Sequence, residues 1–174
     1  MIANYKAWFL THHGRVRESN EDALVIGDEV FCEQDFEVPR YLEGTFSSYL
    51  CVADGMGGCE AGETASRICC EAFSGCSDQN EEELRNRILE VNHEIYRQSM
   101  ETPAWAGMGC TVAGLTFLGE DLHAFNVGDS RIYRMQDQFL NQLTKDDTAA
   151  QALEDAGVWE RGQTRPSNSH SLTQ

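Results

Sequence analysis

The sequence predicts an α+β domain built on antiparallel sheets. A short apolar run over 48–53 ends in an aspartate and a glycine-rich turn, apolar residues recur at helical spacing from Ala61 to Ile95, and beyond Pro103 the period changes from about four to two. The order is therefore strands, two helices, strands, rather than regular βαβ alternation. With 174 residues and 41% hydrophobic content, the chain is one domain's worth and large enough for a real core.

Residues 5–11 read as a first strand and His12-His13-Gly14 as a turn. Neighbouring histidines on an extended chain point to opposite faces, so this pair reads as surface rather than as a metal site. Arg17, Asn20, Glu21 and Asp22 lead into an apolar strand over 23–26. Residues 27–47 carry acids, glycines and Pro39, and read as a loop or irregular hairpin. A buried strand over 48–53 runs into Asp54-Gly55-Met56-Gly57-Gly58. Ala61, Ala65, Ile68, Cys69, Ala72, Phe73 and Cys76 stripe a helix of roughly four turns. Residues 77–80 end it and cap a second helix, striped by Leu84, Ile88, Val91 and Ile95. Glu81, Glu82 and Glu83 fill that helix's first turn, where negative charge suits the dipole, so the run is a solvated helix start. Past Pro103 come a strand over 110–117 that Leu118 can extend, another over 122–127, and a hairpin of 131–135 with 139–143. A short helix over 148–156 stops at Gly157, and the remainder is polar and turn-rich.

Charge narrows the function. A formal net charge of −16 argues against nucleic acid and against anionic membrane surfaces as partners. It suits a protein that holds hard cations with carboxylates. No apolar run approaches a membrane span, and the N-terminal stretch lacks the long apolar core and cleavage site of a signal peptide. The expected location is the cytoplasm. Seven cysteines, with no C-x-x-C pair, read as small apolar residues in a reducing compartment rather than as disulfides or zinc ligands.

The chemistry concentrates at acidic residues where apolar runs meet turns: Asp22, Asp54 and Asp129. An ionised aspartate there is either hydrogen-bonded into its turn or bound to a cation. If the three lie on one edge, they repel and raise one another's pKa unless a cation neutralises them. Magnesium and manganese prefer such oxygen ligands, and two ions about 4 Å apart can ionise a water for attack on phosphorus. Arg17, four residues before Glu21, offers two parallel hydrogen bonds to a phosphate. Ordinary Asx turns and strand entries account equally well for each residue taken alone.

Five ordered motifs go further. N-E-D at 20–22, V-A-D-G-M-G-G at 52–58 with A-G-E at 61–63, G-M-G-C-T at 107–111, N-V-G-D-S-R at 126–131 and L-T-K-D-D at 143–147 span nearly the whole chain. Together they resemble the metal-dependent Ser/Thr protein phosphatases of the protein phosphatase 2C type, in their bacterial form. The resemblance implies a four-layer α-β-β-α sandwich of antiparallel sheets with a binuclear manganese or magnesium centre. It implies two or three ions and hydrolysis of phosphoserine and phosphothreonine in proteins, opposing a Ser/Thr kinase and acting as a monomer. By resemblance, Asp54 bridges two metals and Gly55 offers its carbonyl to one. Asp22 is a ligand of the second and Glu21 acts through water. Asp129 binds a weaker third ion, Arg17 holds the substrate phosphate, and Ser130 and Arg131 support their loop. Residues 147–170 match a variable flap.

Two departures qualify this. Cys59 stands where bacterial members often carry histidine, which bears on proton transfer at that position. The chain also reads as an incomplete domain over 1–174, without the C-terminal strands that bring two more aspartates to the metals, so weak or absent activity is expected of it. The alternative is a non-catalytic, phosphoprotein-binding pseudophosphatase.

Overall fold

The computed structural model of the protein describes residues 3–46, 48–57, 61–159 and 171–173. In chain order the strands are β1 (Ala3–Phe9), β2 (Asp22–Ile26), β3 (Glu29–Cys32), β4 (Arg40–Phe46) and β5 (Leu50–Met56). Helices α1 (Ala61–Phe73) and α2 (Glu81–Glu101) follow. Then come β6 (Gly109–Cys110), β7 (Val112–Leu118), β8 (Asp121–Val127), the hairpin β9 (Tyr133–Gln136) and β10 (Phe139–Gln142), and α3 (Ala149–Asp155).

Six strands make the central antiparallel sheet, in the order β3-β2-β5-β7-β8 with β6 pairing the end of β5. Alternation along the strands sorts their side chains. Ala23, Val25, Cys51 and Ala53 face α1 and α2, and join Ala65, Cys69, Phe73, Val91 and Ile95 in one core. The opposite face is only partly covered. Trp8 and Phe9 of β1 and Ile132 beside β9 lie across from Leu24 and Val52, around a cavity of about 440 Å3. Val52 accordingly keeps 48% of its surface exposed. The described residues thus supply a helix layer, the central sheet and, in β1–β4 and β9–β10, two-stranded pieces separate from it. The second helix pair implied by resemblance has no counterpart among them.

The structure revises the sequence reading at several points: β1 covers Ala3–Phe9 rather than 5–11, and α1 ends at Phe73, before Cys76. Residues 27–47, expected as a loop or irregular hairpin, contain two strands: β3 pairs β2, and β4 pairs β1 along its whole length. β3 returns from β2 through the two-residue turn Gly27-Asp28, a hairpin signal the reading did not use, whereas β4 pairs β1, distant in sequence, which leaves no local signature. The strand expected to close at residue 53 instead continues to Met56, because β6 pairs Gly55 and Met56. His12 and His13 do not point apart: their rings lie 4.6 Å apart at 31°. They follow the end of β1 rather than sitting in it, so strand alternation does not apply to them.

A buried polar cluster pins the turn between the helices to the sheet. Tyr49, fully buried, donates its hydroxyl to Asp78. Arg87 donates to both Asp78 oxygens at 2.9 and 2.7 Å and to the Ala72 carbonyl at 3.2 Å. Burial pushes the Asp78 carboxyl up, but the hydrogen bonds from Arg87 and Tyr49 outweigh it and hold the group below its ordinary range. The Tyr49 ring meets Phe73 edge-on at 4.8 Å. At the start of α2, Asn80 caps the Glu83 N–H at 3.0 Å while Glu83 accepts from the Gln79 N–H, a reciprocal cap that ends the preceding turn. Removing one member of the cluster strands the others. Asp78→Ala is expected to cost about 3–5 kcal/mol in urea unfolding; a loss under about 1 kcal/mol would contradict a supporting role for the cluster.

Candidate metal centre

The register of β2 against β5 sets Asp22 directly opposite Asp54. Opposed residues of an antiparallel pair share one face, and like charges there repel. Both side chains are exposed, whereas their strand neighbours Ala23 and Ala53 are buried under the helices. They open onto a cavity of about 270 Å3 that Thr11 and Ser130 also line. The two carboxyls lie close enough for each to shift the other's proton affinity. Burial, then the Asp54 charge, pushes Asp22 up to about 6. Burial and the Asp129 charge raise Asp54, while Arg17 and the hydrogen bond from Asp22 act in the opposite sense.

Arg17 stands at the mouth. Its Nη1 lies 3.5 Å from Glu21 Oε1, and its side chain is 71% exposed, free to turn toward an anion. Glu21 is held from behind: its carbonyl accepts from Ser66 Oγ at 2.6 Å, which ties α1 to the entry of β2. Gly55 explains why no larger residue serves next to Asp54. A Cβ there would lie 2.2 Å from the Gly62 carbonyl oxygen and 2.4 Å from that of Glu21, both backbone atoms. The strand, the helix start and the Glu21 loop therefore meet at backbone distance, and this close approach places Glu21 beside the aspartates.

Asp129 arrives from the other side, on the turn after β8. Gly128 has φ of +95°, its N–H donates to Asp147 Oδ2 at 3.0 Å, and its carbonyl accepts from the Asp147 N–H at 2.9 Å. Thr111 joins this turn to β5. Its N–H donates to the Asp54 carbonyl at 2.9 Å, and its hydroxyl accepts from the Asp54 N–H at 3.2 Å and lies 2.6 Å from Ser130 Oγ. Arg131 is occupied in two parallel hydrogen bonds to Asp146, at 2.8 and 2.5 Å.

The structure thus brings Arg17, Glu21, Asp22, Asp54, Gly55 and Asp129 into one neighbourhood. Thr111 and Asp147 position the aspartates and were given no individual role by sequence reasoning. They lie inside the quoted G-M-G-C-T and L-T-K-D-D stretches, which was the signal available. Cys59 and flap residues 160–170 lie outside the described residues.

The donor set fits a hard divalent cation: carboxylate oxygens, crowded enough to raise the pKa of both aspartates and open to water. A sign follows for stability. Asp22 has a folded pKa near 6, above the roughly 3.9 of an unfolded aspartate. Its contribution is therefore full below about pH 4 and lost as pH rises through about 6 when metal is absent. Asp22→Asn in chelator should gain thermal stability relative to wild type as pH goes from 4 to 7, and should lose any stabilisation by manganese. A difference in Tm that does not change with pH would contradict the carboxylate repulsion.

Comparison with known proteins identifies the family. A family model described as protein phosphatase 2C matches residues 31–157. The serine/threonine protein phosphatase PstP of Mycobacterium tuberculosis is 32% identical over 166 residues, covering 92% of this chain and 28% of PstP. The serine/threonine phosphatase Stp of Listeria monocytogenes is 33% identical over 156 residues, covering 84% of this chain and 56% of Stp. The chain therefore spans well under two thirds of these relatives. The crystal structure of M. tuberculosis PstP superposes with a TM-score of 0.70 at 29% identity, covering 97% of this chain and 65% of that one. The PstP catalytic domain in complex with two manganese ions gives 0.66 at 30% identity, covering 92% and 62%. The matched span, the relatives and the shared fold carry one conclusion: this chain belongs to the protein phosphatase 2C family.

Proposed function

We propose that this chain forms the metal-holding part of a protein phosphatase that hydrolyses phosphoserine and phosphothreonine in proteins. The observation that carries the reading is the Asp22–Asp54 pair, opposed across two strands with Arg17 and the Asp129 charge beside it. Asp54 and Asp22 would hold two manganese or magnesium ions, with Gly55 adding its carbonyl and Glu21 acting through water. Asp129 would serve a third ion. Bound at these carboxylates, the ions supply Lewis acidity and ionise water near neutral pH.

The rest of the work falls to the chain. Arg17, exposed and only loosely paired with Glu21, turns to the substrate phosphate and presents it in a fixed orientation. Thr111 keeps the Asp54 backbone from shifting as charge builds at the site. The Gly128–Asp147 turn keeps Asp129 close enough to act on Asp54. The names of PstP and Stp, and the two manganese ions of the PstP catalytic domain, support the reading. The enzyme would oppose a Ser/Thr kinase, acting as a monomer in the cytoplasm. Among the described residues no helix is long and apolar enough to cross a membrane.

Release of phosphate from a phosphothreonine peptide tests this. Activity is expected to require manganese or magnesium, and Asp54→Asn should lower it by at least about 100-fold, since even outer-shell partners of a metal are worth 10–100-fold. Arg17→Ala should raise KM for the peptide. Metal-independent hydrolysis, or full activity in Asp54→Asn, would overturn the reading. A peptide bound but never cleaved would favour a binding module.

A further inference from the structure

On the far side of Asn20 from the aspartates, His12, His13 and Asp35 each offer a donor atom, all within 4.8 Å of one another. We propose that these three residues form a second metal site, one for a zinc-class cation and separate from the carboxylate centre. It rests on different residues from the phosphatase reading, and its failure would leave that reading intact.

Donor chemistry separates the two sites. Asp22, Asp54 and Asp129 offer only oxygens, the preference of magnesium and manganese. Two imidazoles and one carboxylate, with a side open to solvent, match zinc, cobalt or nickel. The cavities are separate as well. Asp22 and Asp54 line one of about 270 Å3, while His13, Asn20, Gln34 and Asp35 line another of about 330 Å3.

The cluster is built rather than incidental. Asp35 Oδ1 accepts from the His13 N–H at 2.9 Å and from Asn20 Nδ2 at 3.2 Å. That fixes the carboxylate and leaves Oδ2 to hydrogen-bond with the His13 ring nitrogen Nδ1. Asn20 is only 8% exposed and is held in turn by Thr11 Oγ1 and the Gln34 carbonyl, both at 2.8 Å. A buried amide that orients a ligating carboxylate is the outer-shell support a metal site needs. His12 Nδ1 accepts from the Gly14 N–H at 2.9 Å, which sets its ring beside that of His13. Without a cation, the converging donors satisfy each other. A cation takes the place of the proton shared by His13 and Asp35, and that proton leaves to solvent.

Zinc binding to the metal-free chain, followed by calorimetry in an Asp54→Asn background that disables the carboxylate centre, tests the proposal. Cobalt supplies the spectroscopic readout, since thiolate ligation by any of the cysteines would add a charge-transfer band. One zinc per chain is expected, with a cobalt spectrum free of that band. His12→Ala and His13→Ala should each weaken zinc binding by at least about tenfold. His12 is exposed, so its replacement leaves folding intact and the outcome readable. Absence of one-to-one zinc binding, an affinity unchanged in both variants, or a thiolate band would each overturn the site.

Discussion

The pairing of β2 with β5 is the constraint on which the rest depends. Residue 22 lies opposite residue 54, and residue 23 opposite residue 53. A slip of β2 by one residue against β5 would turn Asp22 toward the helices and Ala23 toward the cleft, and would part Asp22 from Asp54. The apolar face prevents this, because Ala23, Val25, Cys51 and Ala53 must meet α1. Burial on one face of the sheet thus enforces repulsion on the other. The energy that holds two carboxylates together in the absence of a cation comes from helix packing, not from the site.

The surrounding features defend that register. Tyr49, Asp78 and Arg87 lock the helix turn to the start of β5. Gly55 lets the backbones of β5, α1 and the Glu21 loop touch, so the helix start and the Glu21 loop pack against β5 at backbone distance. Thr111 ties β5 to the turn that carries Asp129. Three chain segments distant in sequence therefore converge through backbone contacts, which are less tolerant of rearrangement than side-chain contacts. The cost is local: Asp22 is pushed up to about 6, a strain that binding of a divalent cation would relieve.

How much of this was legible in the sequence depended on range. Both long helices were readable, because their apolar stripes and the Asn80 cap are local signals. The strands β2, β7 and β8 were readable for the same reason. β4 was not, since its partner β1 lies far back in the chain, and β3 was missed although it is only a short hairpin return from β2 across Gly27-Asp28. The continuation of β5 past Asp54 depended on β6, fifty residues and more away in the chain, so no local pattern announced it. At the site, the aspartates stood out as acids at the ends of apolar runs and Arg17 by its spacing from Glu21, and the ordered motifs added roles for Glu21 and Gly55. Thr111 and Asp147 did not stand out, because their work is to hydrogen-bond backbone that folding alone brings near. His12 and His13 misled through a rule valid only within a strand, and β1 ends before them.

Anomalous diffraction from crystals of the chain grown with manganese addresses the central claim most directly. The account predicts a manganese peak between the Asp22 and Asp54 carboxylates, with the β2–β5 register unchanged. Manganese bound only elsewhere, with none between Asp22 and Asp54, would contradict it.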